Sequence, residues 1–220
     1  MSTETPVAVR PQITVLPQSN WLTLELGHLR DQTTGTGRLR RAVKLLTAEV
    51  LRSAMDTLPI TTRTVKTPLQ LPARAAIWSK QVAVVQVWRA GFFMVQPVLD
   101  EFPEAKIGCV GTRRNEETAD PEGYYCNLPK NLDRYVTLVV DPMLATGGSA
   151  CDAIRRAKAS GADDIRFLCI LAAPEGVLTI NQEHPEVAVF AAALDDGLND
   201  KKYIKPGAGD LGDRLCGTVA

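Results

Sequence analysis

The sequence predicts an α/β fold: a mainly parallel central sheet flanked by helices, with a hood or arm. Three observations carry this expectation. Short apolar runs recur at Val82–Val87, Lys106–Thr112, Val136–Val140, Ile165–Ala172 and Val187–Ala192, as strands buried on both faces require. Helical patterns alternate with them, so the connections read as right-handed crossovers between parallel strands. Turns rich in glycine or arginine follow the strand ends, where an open parallel sheet collects its ligands.

The elements follow in order. Met1–Ser19 is polar, contains prolines and lacks an apolar signal core. Residues 1–20 therefore read as a flexible N-terminal tail, and residues 21–220 as a single domain. Trp21–His28 alternates loosely and leads into Leu29-Arg30-Asp31, and Gly35 and Gly37 make a loop. A helix is expected over about Leu39–Asp56, where Leu39, Val43, Leu46, Val50 and Met55 recur at helical steps and the intervening Arg and Lys form a solvated face. Leu58–Pro72 is rich in Thr, Val and Pro, and alternation over Ile60–Val65 predicts a short exposed strand in an arm. Val82–Val87 is the first central strand and runs into Trp88-Arg89-Ala90-Gly91. A helix over about Met94–Phe102 leads to the strand Lys106–Thr112, which ends in Arg113-Arg114-Asn115-Glu116-Glu117-Thr118. Glu116 and Glu117 are neighbours and do not face each other across a substrate, so a loop-ordering role suits them better than acid–base work. Asp120–Asn131, with Pro121, Gly123 and Tyr124-Tyr125, reads as a flexible hood that excludes water. After Ile165–Ala172, Ala173-Pro174-Glu175-Gly176 starts a short helix, and Val187–Ala192 is the last central strand.

The chain is organised around Val136–Ser149, VTLVVDPMLATGGS. Asp141 and Pro142 end the strand. Thr146, Gly147, Gly148 and Ser149 open a helix that stops near Gly161, a suitable C′ glycine. A strand, a glycine loop and a helix N-terminus suit an anion: the backbone can approach closely, and the free N–H groups of the first turn point at it. Spacing alone leaves a phosphate site and an ordinary strand-to-helix turn both open. The Walker pattern is excluded because no Lys follows, and the dinucleotide pattern because only Gly147-Gly148 is present.

Composition narrows the classes. With 25 basic and 25 acidic residues the formal charge is zero, which gives no footprint for nucleic acid or a membrane surface. Apolar stretches such as Phe167–Ala173 are too short to span a bilayer. The five cysteines (Cys109, Cys126, Cys151, Cys169 and Cys216) show no C-x-x-C spacing, so buried free thiols in a cytoplasmic protein are expected. His28 and His184 are isolated and read as surface or satisfied histidines.

DPMLATGGS resembles the 5-phosphoribosyl 1-pyrophosphate (PRPP) loop of the uracil phosphoribosyltransferases, in which Asp-Pro stands where related type I phosphoribosyltransferases carry two acidic residues. Tyr203–Thr218, YIKPGAGDLGDRLCGT, resembles that family's uracil-binding stretch, YIxPGLGDAGDRxFGT. Looser likenesses run from about Gly27 to Thr218: RDQTTGTGRLR to RDxxTxxxxFR, WRAG to LRAG, RRNEET to YRxEET, and Asp195 with Gly197-Leu198-Asn199 to DxGLN.

The resemblance implies a type I phosphoribosyltransferase-like fold and transfer of the phosphoribosyl group of PRPP to uracil, giving UMP and pyrophosphate. It implies PRPP contacts from Arg89, Arg114, Asp141, Pro142, Met143, Leu144, Ala145, Thr146, Gly147, Gly148, Ser149 and Asp210. Uracil contacts would come from Ile204, Gly209, Asp210 and Leu211. Asp141, Asp210 and Arg89 would be catalytic, and Mg²⁺ would arrive with the substrate, near Asp210. Family members are dimers or tetramers, some activated by GTP, and no residue here identifies a GTP site. The resemblance also implies a cis peptide before Arg89. Two departures stand out: Trp88 replaces Leu, and Phe93 replaces a Gly of RAGLGM. They motivate an alternative, a catalytically weak PRPP- or UMP-sensing regulator on the same fold.

Overall fold

The computed structural model describes residues 12–114 and 121–218, with backbone only for 112–114 and 121–124. Strand β1 (Thr14–Val15) pairs in parallel with the far edge of the sheet, Thr14 opposite Phe190 and Val15 opposite Ala191. The sheet thus takes up two residues expected in the flexible tail. Helix α1 (Asn20–Arg30) begins at Ser19, whose side chain accepts from the Leu22 N–H at 3.1 Å. The loose alternation over Trp21–His28 is therefore helical: Leu22, Leu26 and Leu29 share one buried stripe.

Helix α2 (Thr36–Met55) buries Leu39, Val43, Leu46 and Val50, as expected, together with Ala42, Leu51 and Ala54. Its basic residues are not all solvated. Arg38 covers buried Glu25 of α1, with Nη2 at 2.8 and 2.9 Å from the two carboxylate oxygens. Arg40 donates to the Leu215 carbonyl at 2.9 Å. Strands β2 (Ile60–Lys66) and β3 (Pro72–Trp78) form a separate antiparallel hairpin, the expected arm with a second strand added. Ile60, Leu69, Leu71, Ile77 and Trp78 of this arm are exposed.

Strand β4 (Gln81–Trp88) leads to α3 (Phe92–Glu101), β5 (Lys106–Arg114) and β6 (Pro121–Asn127). The stretch expected as a hood, Asp120–Asn131, contains a strand. Pro121–Asn127 is a sheet strand antiparallel to β5, with a register shift between Gly111 and Thr112, and Tyr125 stacks on Trp88 with ring centroids 5.0 Å apart. Residues 115–120, including Glu116 and Glu117, lie outside the described residues. Next come β7 (Tyr135–Val140), β8 (Met143–Leu144), α4 (Gly148–Ala159), β9 (Ile165–Ala172), α5 (Pro174–Glu183) and β10 (Ala188–Leu194). A small hairpin, β11 (Gly197–Leu198) with β12 (Ile204–Lys205), precedes α6 (Leu211–Cys216).

The strand order of the large sheet is β1-β10-β9-β7-β4-β5-β6, parallel except for β5 with β6, and β8 adds to β9. The strands alternate between two buried faces. Val82, Val84, Leu138 and Ile170 pack with α1, α2, α3 and α6. Ala83, Val85, Val139 and Phe167 pack with α4 and α5. Such continuous apolar runs belong to strands covered on both sides. Among the described residues, no helix is long and apolar enough to cross a membrane.

Candidate active site

Chain direction locates the site before any side chain does. From β4 the chain crosses through α3 to β5 on one side. From β7, which lies against the other edge of β4, it crosses through α4 to β9 in the opposite direction. Where two crossovers diverge, a crevice opens at the carboxyl ends of the adjacent strands. Arg89 follows β4 and Asp141 follows β7, so both stand at that crevice. The backbones are close there: a Cβ on Gly91 would lie 2.5 Å from the Val87 carbonyl and 2.6 Å from the Val140 carbonyl. The Trp88–Arg89 peptide is cis, as expected.

A cleft of about 780 Å³ opens at this point. Its lining includes Arg89, Asp141, Met143, Ala145 and Ser149 on one wall, and Ile204, Gly209, Asp210 and Leu211 on the other. The structure thus brings together nine of the residues expected in the site. Thr146 and Gly147 line a smaller recess of about 90 Å³ beside Asp141. Pro142 and Leu144 are buried, and Leu144 also lines that recess. The Pro142 carbonyl accepts from the Ile170 and Leu171 N–H groups, both at 3.0 Å, and the Leu144 carbonyl from the Ala173 N–H at 2.8 Å. Gly148 is the first residue of α4. Arg114 ends β5, and its side chain lies outside the described ones.

Gly147 caps α4 at φ +89°, with no side chain capping the helix. A Cβ there would lie 2.8 Å from Thr179 Cβ and 2.9 Å from the Gly176 carbonyl. Glycine is required twice over, by the left-handed conformation and by the contact. The first-turn N–H groups of α4 are consequently available to an anion. Gly161, at φ +98°, follows the helix as expected.

Asp141 accepts one long hydrogen bond, from the Met143 N–H at 3.4 Å. Burial raises its carboxyl from the ordinary 3.8 to about 7, with the Met143 N–H opposing. Below neutrality it is protonated, and a ligand that donates hydroxyls to it would favour the charged form. Arg89 is held by Asp213, Nη2 to Oδ1 at 2.7 Å, and this bond raises its already high value further. Asp213 is lowered by the Thr218 hydroxyl and by Arg89. Asp210 caps α6: its Oδ1 accepts from the Asp213 N–H at 2.9 Å.

The wall made by residues 203–212 depends on side chains from far along the chain. Arg30, at the end of α1, meets Asp195 through two bonds of 2.8 and 2.6 Å and donates to the Gly207 carbonyl at 3.0 Å. Asp195 also accepts from the Gly207 N–H at 3.0 Å. Arg214 donates to the carbonyls of Leu29, Asp31 and Ala208 at 2.8, 2.6 and 2.7 Å. The Lys205–Pro206 peptide of this wall is cis. Arg30 and Asp195 had a motif signal in the sequence but no assigned partner, and Arg214 had no signal as a clamp.

Packing accounts for the two substitutions that motivated a regulator. Phe93 does not line the cleft. It lies partly buried against the core, with the Arg40 guanidinium 5.4 Å above its ring. Trp88 lines the cleft while its ring stacks on Tyr125.

A second cluster has the residue types of a metal centre. Cys151, Glu183 and His184 bring ligating atoms within 4.8 Å of one another. Cations already hold two of them: Lys158 Nζ lies 2.8 Å from His184 Nδ1, and Arg155 lies 3.2 Å from Glu183. Burial pushes the Cys151 thiol up to about 12, which keeps the proton that a metal would have to displace. His184 is buried and its Nε2 has no partner among the described residues, so it is only half satisfied. Cys151 and Cys169 are buried free thiols as expected, whereas Cys109 and Cys216 are half-buried and Cys126 is exposed.

Comparison with known proteins shows the family and the fold. The family model described as uracil phosphoribosyltransferase matches residues 15–218. A uracil phosphoribosyltransferase of Dictyoglomus thermophilum is 43% identical over 194 residues, 88% of this chain and 94% of that protein. One from Bacillus licheniformis is 44% identical over 194 residues, 88% of this chain and 93% of that protein. A solved structure from Aquifex aeolicus aligns at a TM-score of 0.85 with 32% identity, covering 92% of this chain and 97% of that one.

Proposed function

The chain belongs to the uracil phosphoribosyltransferase family and is an enzyme that joins the phosphoribosyl group of PRPP to uracil, giving UMP and pyrophosphate; on that premise we propose how the residues of the cleft divide the work. The observation that carries the proposal is that Arg89, Asp141, the two residues flanking the glycine turn (Ala145 and Ser149) and the C-terminal stretch line one cleft, with the turn itself in the recess beside Asp141. Nothing favours the regulatory reading.

The backbone of Ala145–Ser149 and the α4 N-terminus hold the 5′-phosphate, with hydroxyls from Thr146 and Ser149. Asp141 accepts from the ribose hydroxyls, and its charge offsets the positive charge that builds on the sugar as the pyrophosphate bond lengthens. Arg89, aimed by Asp213, meets the growing negative charge on pyrophosphate, and Arg114 takes the same task by family position. The Ile204 and Gly209 backbone binds the pyrimidine edge, with Asp210 and Leu211 completing the wall. Fixed backbone donors facing O4 would face the amino group in cytosine and reject it.

Asp141 and Asp210 are hard oxygen donors that suit Mg²⁺. Burial raises the Asp141 carboxyl to about 7 in the free protein, and Asp210 lends one oxygen to its helix. The residues therefore fit an ion carried chiefly by substrate oxygens, with Asp210 as the protein contact. Held there, Mg²⁺ would supply positive charge beside the pyrophosphate.

The arm's exposed Ile60, Leu69, Leu71, Ile77 and Trp78 support assembly into a homodimer or homotetramer. A cytoplasmic site of action is supported by the free thiols. GTP activation rests on the family alone. A base panel tests the reaction: protein, PRPP and Mg²⁺ with uracil, cytosine or hypoxanthine, following nucleotide and pyrophosphate. Uracil alone should turn over, and Asp210→Asn should abolish most of the rate. UMP formation at an undiminished rate in that variant would contradict the assignment.

A further inference from the structure

The lip of the cleft carries two lysines that neither wall of the site employs. Asp200, Lys201 and Lys202 lie in the loop that joins β11 to β12. Asn199 shapes this loop: its Oδ1 accepts from the Lys201 N–H at 3.0 Å and the Tyr203 N–H at 2.9 Å. Its backbone closes the loop, with Lys202 N–H to Asn199 O and Asn199 N–H to Tyr203 O, both at 2.8 Å. The base of the hairpin is tied down by Leu198 N–H to Glu175 Oε1 at 3.0 Å and Asp196 N–H to Lys205 O at 2.9 Å. At the tip Lys202 adopts φ +63°, a left-handed conformation that glycine takes without strain and that only two other described non-glycine residues share.

Lys201 and Lys202 are exposed and line the same cleft as Asp141, Ala145 and Ser149. The third cation of the lining, Arg89, is bonded to Asp213. Neither lysine makes an ion pair among the described residues. On a chain of zero formal charge, two unpaired ammonium groups at a cleft mouth concentrate positive potential where a polyanion enters.

We propose that Lys201 and Lys202 form a cationic lip that draws PRPP into the cleft and contacts its pyrophosphate while the glycine loop holds its 5′-phosphate. The proposal rests on the PRPP reading above and adds two positioning residues to it. A lip of this kind acts on capture. It raises affinity and association rate for PRPP, leaves the uracil edge alone, and weakens as salt screens it.

The test compares the parent protein with Lys201→Gln/Lys202→Gln, Lys201→Arg/Lys202→Arg and Lys202→Gly. Initial rates are taken against PRPP and against uracil at low and high ionic strength, with PRPP binding by calorimetry. The Gln pair should raise the PRPP KM about tenfold at low salt, change kcat and the uracil KM less than twofold, and flatten the salt dependence of kcat/KM. The Arg pair should restore all of these, and Lys202→Gly should lose only part. A PRPP KM, affinity and salt slope equal to the parent's in the Gln pair would overturn the lip. So would an equal rise in both KM values, the mark of a merely structural turn. PRPP binding by the parent without UMP formation would instead refute the reaction, while the calorimetry would still decide the lip.

Discussion

In the wall formed by residues 141–149, backbone holds backbone. The Pro142 and Leu144 carbonyls bond to β9 and to the residue after it, and Gly147 turns the chain into α4. In the wall formed by residues 203–212, guanidinium groups hold backbone from afar: Arg30 reaches Gly207 across 177 positions, and Arg214 reaches Asp31 across 183. The first wall suits a ligand group that never varies, a phosphate met by N–H groups. The second suits a base, whose edge has to be matched by a loop that can be tuned without rebuilding the sheet. The two walls should therefore fail differently: one when a Cβ is added, the other when a distant charge is removed.

The largest effect is expected from Gly147→Ala. Its Cβ would meet Thr179 and Gly176 at 2.8 and 2.9 Å, at a φ of +89°. Strain of about 2–3 kcal/mol should lower kcat/KM for PRPP roughly 100-fold in initial-rate assays. Arg30→Ala comes next. It leaves the Asp195 carboxylate, whose side chain is 4% exposed, without its partner, at about 2–4 kcal/mol. The uracil KM should rise at least about tenfold, and thermal melting should fall by roughly 5–10 °C.

Asp141 gives a smaller, pH-dependent effect on the first wall. If, as proposed, Asp141 receives the ribose hydroxyls in its charged form, PRPP affinity should rise about tenfold between pH 6 and 8. In Asp141→Asn that Asp141-linked rise should vanish. The stability effect has the opposite sign. The carboxyl holds its proton in the folded protein up to about 7 against 3.8 ordinarily, so the unfolded chain releases it first. The ligand-free protein therefore loses stability as pH climbs from about 4 through 7. Melting curves of Asp141→Asn should overtake those of the parent across that window. The smallest effect belongs to Asp213→Asn. Its exposed pairing with Arg89 should move the melting temperature by less than about 1 °C and the PRPP KM by about twofold.

What the sequence revealed follows the same division. The glycine loop was legible because its parts are consecutive: strand, turn and helix cap lie within residues 136–149. The central strands were legible from unbroken apolar runs, and Ile165–Ala172 matches β9 residue for residue. Helix α1 was obscured because buried Glu25 interrupts its apolar stripe, and the Arg38 that neutralises it is 13 positions away. Pro121–Asn127 read as a hood because its tyrosines and glycine suit a mobile loop as well as an edge strand, and only pairing to β5 decides. The short helix α6 was hidden in a Gly- and Asp-rich turn until Asp210 capped it. The wall of residues 203–212 showed its motif but not its supports, since Arg30 with Asp195, and Arg214 with Leu29 and Asp31, come together only after the chain has folded.

Calorimetric titration of PRPP into Gly147→Ala and Arg30→Ala, beside the parent protein, tests the division most directly. PRPP affinity should fall about tenfold or more in Gly147→Ala and stay within about threefold of the parent in Arg30→Ala, whose uracil KM has meanwhile risen. Equal losses of PRPP affinity in both variants would contradict the account and make the cleft one coupled unit.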